Sequence, residues 1–233
     1  EGMYLIDEEG KRYLDFVGGI AVNALGYGDP GLSEAINKVV SEGLLHCSNL
    51  YYNKVGVEAA KELCSLAGME RVFFCNSGAE ATEASLKLAR KFGHQSETPR
   101  SEIISMVHSF HGRTYGAITA TGQKKYHKNF APLPQGFSYA EFNNLESVKA
   151  LITEKTCAII VEPIQGEGGI VPADPAFLQG LRSLCDEHNL LLIYDEVQCG
   201  MGRSGKPFAY QVYDVKPDVL TSAKALAGGV PCG

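Results

Sequence analysis

Five short polar clusters, each directly after an apolar run, carry most of the side chains in this sequence that could do chemistry. They are Asn76-Ser77-Gly78-Ala79-Glu80, His108-Ser109-Phe110-His111-Gly112-Arg113, Glu162-Pro163-Ile164-Gln165-Gly166-Glu167, Asp195-Glu196-Val197-Gln198 and Ser222-Ala223-Lys224. Ser77 and Glu80 have the S-x-x-E spacing of a helix-capping box. The same turn suits a phosphate: Gly78 lets backbone approach closely, and the free N–H groups and dipole of a helix start favour an anion. Asp195 closes the run Leu190-Leu191-Leu192-Ile193-Tyr194, so its carboxylate is costly to bury unless a cation meets it. That cation is either an arginine elsewhere in the chain or a protonated ring nitrogen of a cofactor. Lys224 lies among small residues, and it is either a solvated surface charge or an amine with a depressed pKa, able to act as a Schiff-base nucleophile.

These clusters need a scaffold that brings strand ends together. Strand-like runs occur at Arg71–Cys75, Ile103–Val107, Ala158–Val161, Leu190–Tyr194 and Val219–Thr221, with helical patterns at 78–92, 145–155 and 175–188 between them. Alternation of short apolar strands with helices predicts an α/β fold with a mostly parallel sheet covered on both faces. In such sheets ligands bind outside the carboxyl ends of the strands, where all five clusters fall. A phosphate cradle, a carboxylate in an apolar setting and a poised lysine are together what pyridoxal phosphate requires. Ahead of these strands, residues 3–7 and 11–16 read as a hairpin about Glu8-Glu9-Gly10. Asp29-Pro30 opens a helix that stops near Gly43, and a second helix covers 54–67.

Composition sets the outer bounds. The 233 residues carry 21 Lys and Arg against 27 Asp and Glu, a net charge of −6. That balance gives no electrostatic footing for nucleic acid or an anionic membrane surface. No apolar run reaches the roughly 20 residues of a membrane helix, and Glu1-Gly2-Met3 does not open a signal peptide. Seven scattered cysteines with no C-x-x-C pair point to a reduced compartment rather than a disulfide framework or a zinc site. His108 and His111 lack a third ligand at metal-binding spacing, so no metal is expected. Gly200, Gly202 and Gly205 satisfy G-x-G-x-x-G, but Asp195-Glu196 separates them from the strand and Lys206-Pro207-Phe208 opens no helix. As a Walker A motif the stretch fails at Pro207, leaving a glycine-rich loop at the edge of the site.

Taken together, the motifs resemble the class III pyridoxal-phosphate-dependent aminotransferases of fold type I, and within them the acetylornithine aminotransferases. The strings that carry the resemblance are GGIAVNALGYGDP (18–30), HCSNLYYN (46–53), FFCNSGAEATEASLKLARK (73–91), HSFHGRT (108–114), VEPIQGEGG (161–169), YDEVQCGMGRSGKPFAY (194–210) and PDVLTSAKALAGG (217–229). They span essentially the whole chain. The resemblance implies that Lys224 holds the cofactor and then shuttles a proton, that Asp195 pairs with the pyridinium nitrogen, and that Gln198 sits near the ring's phenolic oxygen. It implies that Phe110 stacks on the ring and that Ser77, Gly78 and Ala79 cradle the phosphate. Arg113 matches the clamp for a substrate carboxylate, Glu167 a carboxylate that pairs with a second, switchable arginine, and Glu162 a supporting group. Thr82 and Ala227 depart from the commoner Asn and Gly without touching an assigned role.

The resemblance also bears on substrate. Ornithine aminotransferases carry a tyrosine at the position of Ile20, where it helps hold the α-amino group; Ile20 cannot, which favours an acylated amine. The implied reaction transfers the terminal amine of N-acetylornithine to 2-oxoglutarate, giving N-acetylglutamate semialdehyde and glutamate in arginine biosynthesis. Ornithine, succinylornithine and 4-aminobutyrate are the alternative donors, and a catalytically incomplete fragment or a nucleotide-binding module the rival classes. Residues 1–45 are expected to belong to a small domain and 46–233 to an incomplete cofactor-binding large domain, with both chain ends reading as cut. The family implies a homodimer for the full-length protein, in the cytoplasm or an organelle matrix.

Overall fold

The structure is a computed structural model, and it describes residues 2–43, 45–48 and 50–233. By packing, the chain divides into two compact units: Glu1–Phe74 with Lys224–Val230, and Cys75–Ala223 with Pro231–Gly233. That division falls well after residue 45, and the assignment of residues 1–45 to a small domain remains a proposal.

In the first unit, β1 (Tyr4–Ile6) and β2 (Arg12–Leu14) form the expected antiparallel hairpin, with Tyr4 opposite Leu14. The Asp7 side chain organises its turn, accepting from the amides of Glu9 and Lys11 at 3.1 and 2.9 Å. A short irregular helix, α1 (Gly18–Ala21), contains Ile20 at φ +61°. Helix α2 (Pro30–Ser41) starts as its sequence demands: Pro30 occupies the first turn and Asp29 Oδ1 accepts from the Leu32 amide at 2.7 Å. Helix α3 (Lys54–Ala67) is capped by Asn53 and stopped by Gly68 in the left-handed region.

The second unit is a layered α/β domain. In chain order it contains α4 (Gly78–Gly93), β3 (Glu102–Met106), α5 (Tyr115–Ala120), α6 (Lys124–His127), β4 (Phe137–Ala140), α7 (Leu145–Lys149), β5 (Thr156–Val161), β6 (Ile164–Gln165), β7 (Val171–Pro172), α8 (Pro175–His188), β8 (Leu191–Asp195), α9 (Tyr210–Tyr213) and β9 (Val219–Thr221). Strands β4-β3-β5-β8-β9 form one sheet, and every pairing in it is parallel. Every residue of β5 is buried, as expected for a central parallel strand covered on both faces. Helix α4 packs Leu86 and Ala89 into a core with Ile103, Ala120, Ala158, Ile160 and Ile193, and α8 packs against β5 and β8. Cys157, Cys185 and Cys199 are buried and all seven cysteines are unpaired; burial pushes the Cys157 thiol up to about 11.

Three expectations are corrected. Arg71–Cys75 forms no strand: apart from two bonds exchanged between Cys75 and Gly233 (2.9 and 3.0 Å), it has no ladder partner among the described residues, and Phe73 and Phe74 are exposed. The helix expected over 145–155 ends at Lys149. Beyond it, side chains compete for the backbone: the Thr153 hydroxyl accepts from Lys155 N at 3.0 Å and Thr156 Oγ1 accepts from Thr153 N at 2.9 Å. Asp174-Pro175 does open α8, but the Asp174 side chain makes no capping bond.

Helix α4 meets the chain that follows it so closely that one position admits only glycine. A Cβ on Gly93 would run into the carbonyl oxygen of Arg100 and stand 2.7 Å from Cys157 Cβ. Gly93→Ala is therefore expected to lower the unfolding free energy by about 1–3 kcal/mol, read as a fall in the urea midpoint at unchanged slope.

Candidate active site

The order β4-β3-β5 reverses the direction of strand addition at β3, and the polar residues following β3, β5 and β8, with Ser222 and Ala223 after β9, lie along the carboxyl edge of that sheet. The centre of this edge is Asp195, the last residue of β8, only 3% exposed. Its Oδ2 lies 2.7 Å from Nδ1 of His111. Its Oδ1 accepts from the Val197 amide at 3.0 Å and the Thr221 hydroxyl at 3.2 Å. The cation that meets this buried carboxylate within the protein is thus a histidine rather than an arginine. Sequence reading weighed His111 only as a metal ligand; no spacing rule places it beside a residue 84 positions away.

His111 has no solvent access, and burial alone pulls its pKa down. The hydrogen bond and charge of Asp195, with a smaller contribution from the Glu162 charge, outweigh that, so its pKa lies above the ordinary 6.5. Glu162, just past β5, moves the same way for the opposite reason. Burial foremost, and then the Asp195 charge, push its carboxyl up from 4.5 to about 7. Its two oxygens tie loops together, Oε2 accepting from the Phe110 amide at 2.9 Å and Oε1 from Gly166 at 3.3 Å.

The loop after β3 is further pinned. Gln165 Nε2 donates to Val107 O at 2.9 Å, Gln123 Nε2 to Ser109 O at 3.0 Å, and the His111 amide to Thr121 Oγ1 at 2.9 Å. This holds Phe110 with its ring edge-on to Tyr126, centroids 5.5 Å apart. The Arg113 guanidinium lies 4.2 Å from the Tyr126 centroid and 5.5 Å from that of Phe110, and it makes no ion pair among the described residues. Gln198 Nε2 donates to Glu167 Oε1 at 3.4 Å, and the glycine at 166 leaves the space its amide oxygen fills.

At the start of α4 only half of the capping box forms. Ser77 Oγ accepts from the Glu80 amide at 3.2 Å, but Glu80 Oε2 reaches back to the amide and side chain of Asn76 (2.7 and 2.9 Å) rather than to the Ser77 amide. The amides of Ser77, Gly78 and Ala79 consequently donate to no acceptor among the described residues. A Cβ on Gly78 would stand 2.7 Å from Val197 Cγ1 and 3.4 Å from Ala223 Cβ, so glycine lets the helix start press against the segment leaving Asp195. Lys224 opens a tight turn (Lys224–Ala227) three residues after β9, at φ +52°. It belongs to the first compact unit, whereas the other site residues named from the sequence belong to the second. The glycine-rich stretch 199–208 is a loop, folded by bonds such as Gly202 N to Pro207 O at 3.1 Å. Glu196, fully buried beside Asp195, fastens its far end by accepting from the amides of Ala209 and Tyr210.

This donor set suits pyridoxal phosphate on two observations. Unclaimed amides at a glycine-bearing helix start offer a phosphate site, and the segment they touch carries an aspartate already organised by three donors. The buried Ser222 hydroxyl, with no partner among the described residues, adds a further polar atom beside the lysine's turn.

Comparison with known proteins points the same way. The family profile described as Aminotransferase class-III matches residues 1–233. A succinylornithine transaminase from Salmonella paratyphi A is 54% identical to this chain, the match covering 100% of the chain and 57% of that protein. The crystal structure of N-acetylornithine aminotransferase from Stenotrophomonas maltophilia K279a superposes with a TM-score of 0.84 at 40% identity, over 100% of this chain and 59% of that one. A PLP-bound amine transaminase from an uncultivated Pseudomonas species gives a TM-score of 0.92 at 31% identity, over 100% and 59%. The chain spans little more than half the length of these relatives. No helix among the described residues is long and apolar enough to cross a membrane.

The buried cluster makes a thermodynamic prediction. Glu162 and His111 both have folded pKa values above their ordinary ones, so between pH 4.5 and about 7 the folded state holds more protons than the unfolded state. The Glu162 contribution to stability is fully present below pH 4.5 and is lost as pH rises through that window, while that of His111 is lost only above pH 6.5. Glu162→Gln, which stays neutral, is expected to remove about 1–3 kcal/mol of this loss. Urea unfolding of cofactor-free protein across the window tests it; a variant as pH-sensitive as the parent contradicts the assignment.

Proposed function

The chain belongs to the class III aminotransferase family, and from that premise we propose that the intact protein transfers the terminal amine of an acylated ornithine to 2-oxoglutarate, using pyridoxal phosphate. The observation that carries this reading is Asp195, buried at the mouth of the parallel sheet and held by His111, Thr221 and the Val197 amide. A carboxylate fixed in this way suits a protonated pyridine nitrogen. The cofactor, when bound, supplies an electron sink that makes the proton on the amine-bearing carbon labile.

The chain's own residues then have separable tasks. The Lys224 amine would hold the cofactor and would serve as the group that moves the proton at the substrate carbon. Asp195 would pair with the ring nitrogen, and His111 holds Asp195 in its orientation. The Ser77, Gly78 and Ala79 amides would bind the phosphate, Phe110 would cover the ring and Gln198 would lie near the phenolic oxygen. Arg113, resting on Tyr126 without a carboxylate partner among the described residues, binds a substrate carboxylate through its planar fork. Glu167, now bonded to Gln198, is the partner for a second arginine supplied outside this stretch of chain.

N-acetylornithine is the preferred donor in this reading, because Ile20 offers no hydrogen bond to a free α-amine. The relative named for succinylornithine, at 54% identity, favours succinylornithine as the second donor. An acyl pocket discriminates weakly against a slightly longer group. The full-length protein is proposed to be a homodimer. In steady-state assays kcat/KM for acetylated over free ornithine is expected to exceed about tenfold. A preference for free ornithine overturns the substrate assignment. Lys224→Ala is expected to abolish both turnover and the visible absorbance of lysine-bound cofactor, and Asp195→Asn to lower kcat by at least about a hundredfold.

A further inference from the structure

Helix α5 begins directly after Arg113, and its start is capped from another helix. Glu83, in the second turn of α4, accepts at Oε1 from the Thr114 hydroxyl, from the Gly116 amide at 2.8 Å and from the Ala117 amide at 3.1 Å. Thr114, the N-cap residue, makes no capping bond of its own. Its hydroxyl is turned to Glu83 instead, so a carboxylate on α4 satisfies the orphan donors of α5. The fit is tight: a Cβ on Gly116 would collide with the Glu83 carboxylate.

On the other side of Arg113, Gly112 sits at φ +131°, and a Cβ there would lie 2.9 Å from Ala79 Cβ and Ala117 Cβ. Arg113 is thus flanked by a backbone position open to glycine alone and by a turn clamped to α4. Its guanidinium rests on Tyr126 and Phe110, contacts that fix a plane but no direction within it. The direction from which the side chain leaves the backbone is set by the turn that Glu83 holds.

We infer that Glu83 is a positioning residue for Arg113, fixing the guanidinium that receives the substrate carboxylate. The inference rests on the reading of Arg113 as that clamp. Glu83 does not act as a counter-ion of the guanidinium: no ion pair joins the two among the described residues, and the carboxylate acts on the backbone turn that carries Arg113.

The test uses the intact holoenzyme with glutarate, a dicarboxylate that cannot react, titrated by calorimetry, alongside steady-state kinetics and the visible absorbance of bound cofactor. Glu83→Ala is expected to weaken glutarate binding about tenfold and to raise KM for 2-oxoglutarate similarly, with kcat within about twofold and the absorbance unchanged. Glu83→Gln, which keeps an accepting oxygen, should stay within about threefold of the parent. Combined with Arg113→Lys, Glu83→Ala should add little to the loss from Arg113→Lys alone, since both act on one interaction. If Arg113→Lys weakens glutarate binding and Glu83→Ala does not, or if their losses multiply, Glu83 merely caps α5 and the inference is wrong. If Arg113→Lys itself leaves binding unchanged, the clamp reading fails and the inference with it. Should Glu83→Ala not fold, Thr114→Val removes one of the three bonds: an approximately threefold loss of glutarate affinity supports the inference and none refutes it.

Discussion

A carboxylate placed almost out of water at the end of an apolar strand governs much of this architecture. Asp195 can remain there only because His111, Thr221 and the Val197 amide replace its solvent. Those three partners come from the loop after β3, from β9 and from the turn after β8, so stabilising one charge requires three chain segments to meet. The neighbouring acids respond to that choice. Burial leads the rise of Glu162 and Glu196 to about 7, and the Asp195 charge adds to both. Burial thus makes these two carboxyls harder to ionise, and both hold loops by accepting backbone amides.

Helix α4 is the second organising element. Its first turn leaves amides unclaimed and its second turn carries Glu83. Its last turns enter the core through Leu86 and Ala89 before Gly93 passes under Arg100. One rigid helix therefore sets the position of a proposed phosphate site at its start and of the Arg113 turn on its flank. Precision at such a site comes from mounting it on elements whose own packing is fixed.

Much of this was legible in the residues. Short apolar runs separated by helical patterns gave the parallel sheet, and polar clusters at their ends located the candidate site. Asp29-Pro30 marked a helix start because a cap is a local interaction between residues a turn apart. What was not legible depends on distance in sequence. His111 meets Asp195 along the carboxyl edge, past the intervening strand β5, and Glu83 meets Gly116 from one helix to another; neither pairing has a local signature. Strand β4 was missed because Phe137–Ala140 is short and flanked by loop. The run at 71–75 was read as a strand on composition, yet strand character resides in a partner as much as in the residues. Lys224 could be singled out by its neighbours, but its strained backbone at φ +52° had no sequence signal, since the residue is not glycine.

Asp195 and Glu196 are adjacent, and their carboxylates serve different masters: one is bonded to His111, the other to the amides at 209 and 210. Because side chains alternate along a strand, deleting or inserting a single residue within 191–195 would turn Asp195 onto the opposite face and take its carboxylate away from His111. The strand therefore has no tolerance for a change of length, while the tip of the 199–208 loop is free to grow or shrink so long as its two anchors stay put. A tolerated change in chain length is in that way confined to the loop tip, away from the charged centre.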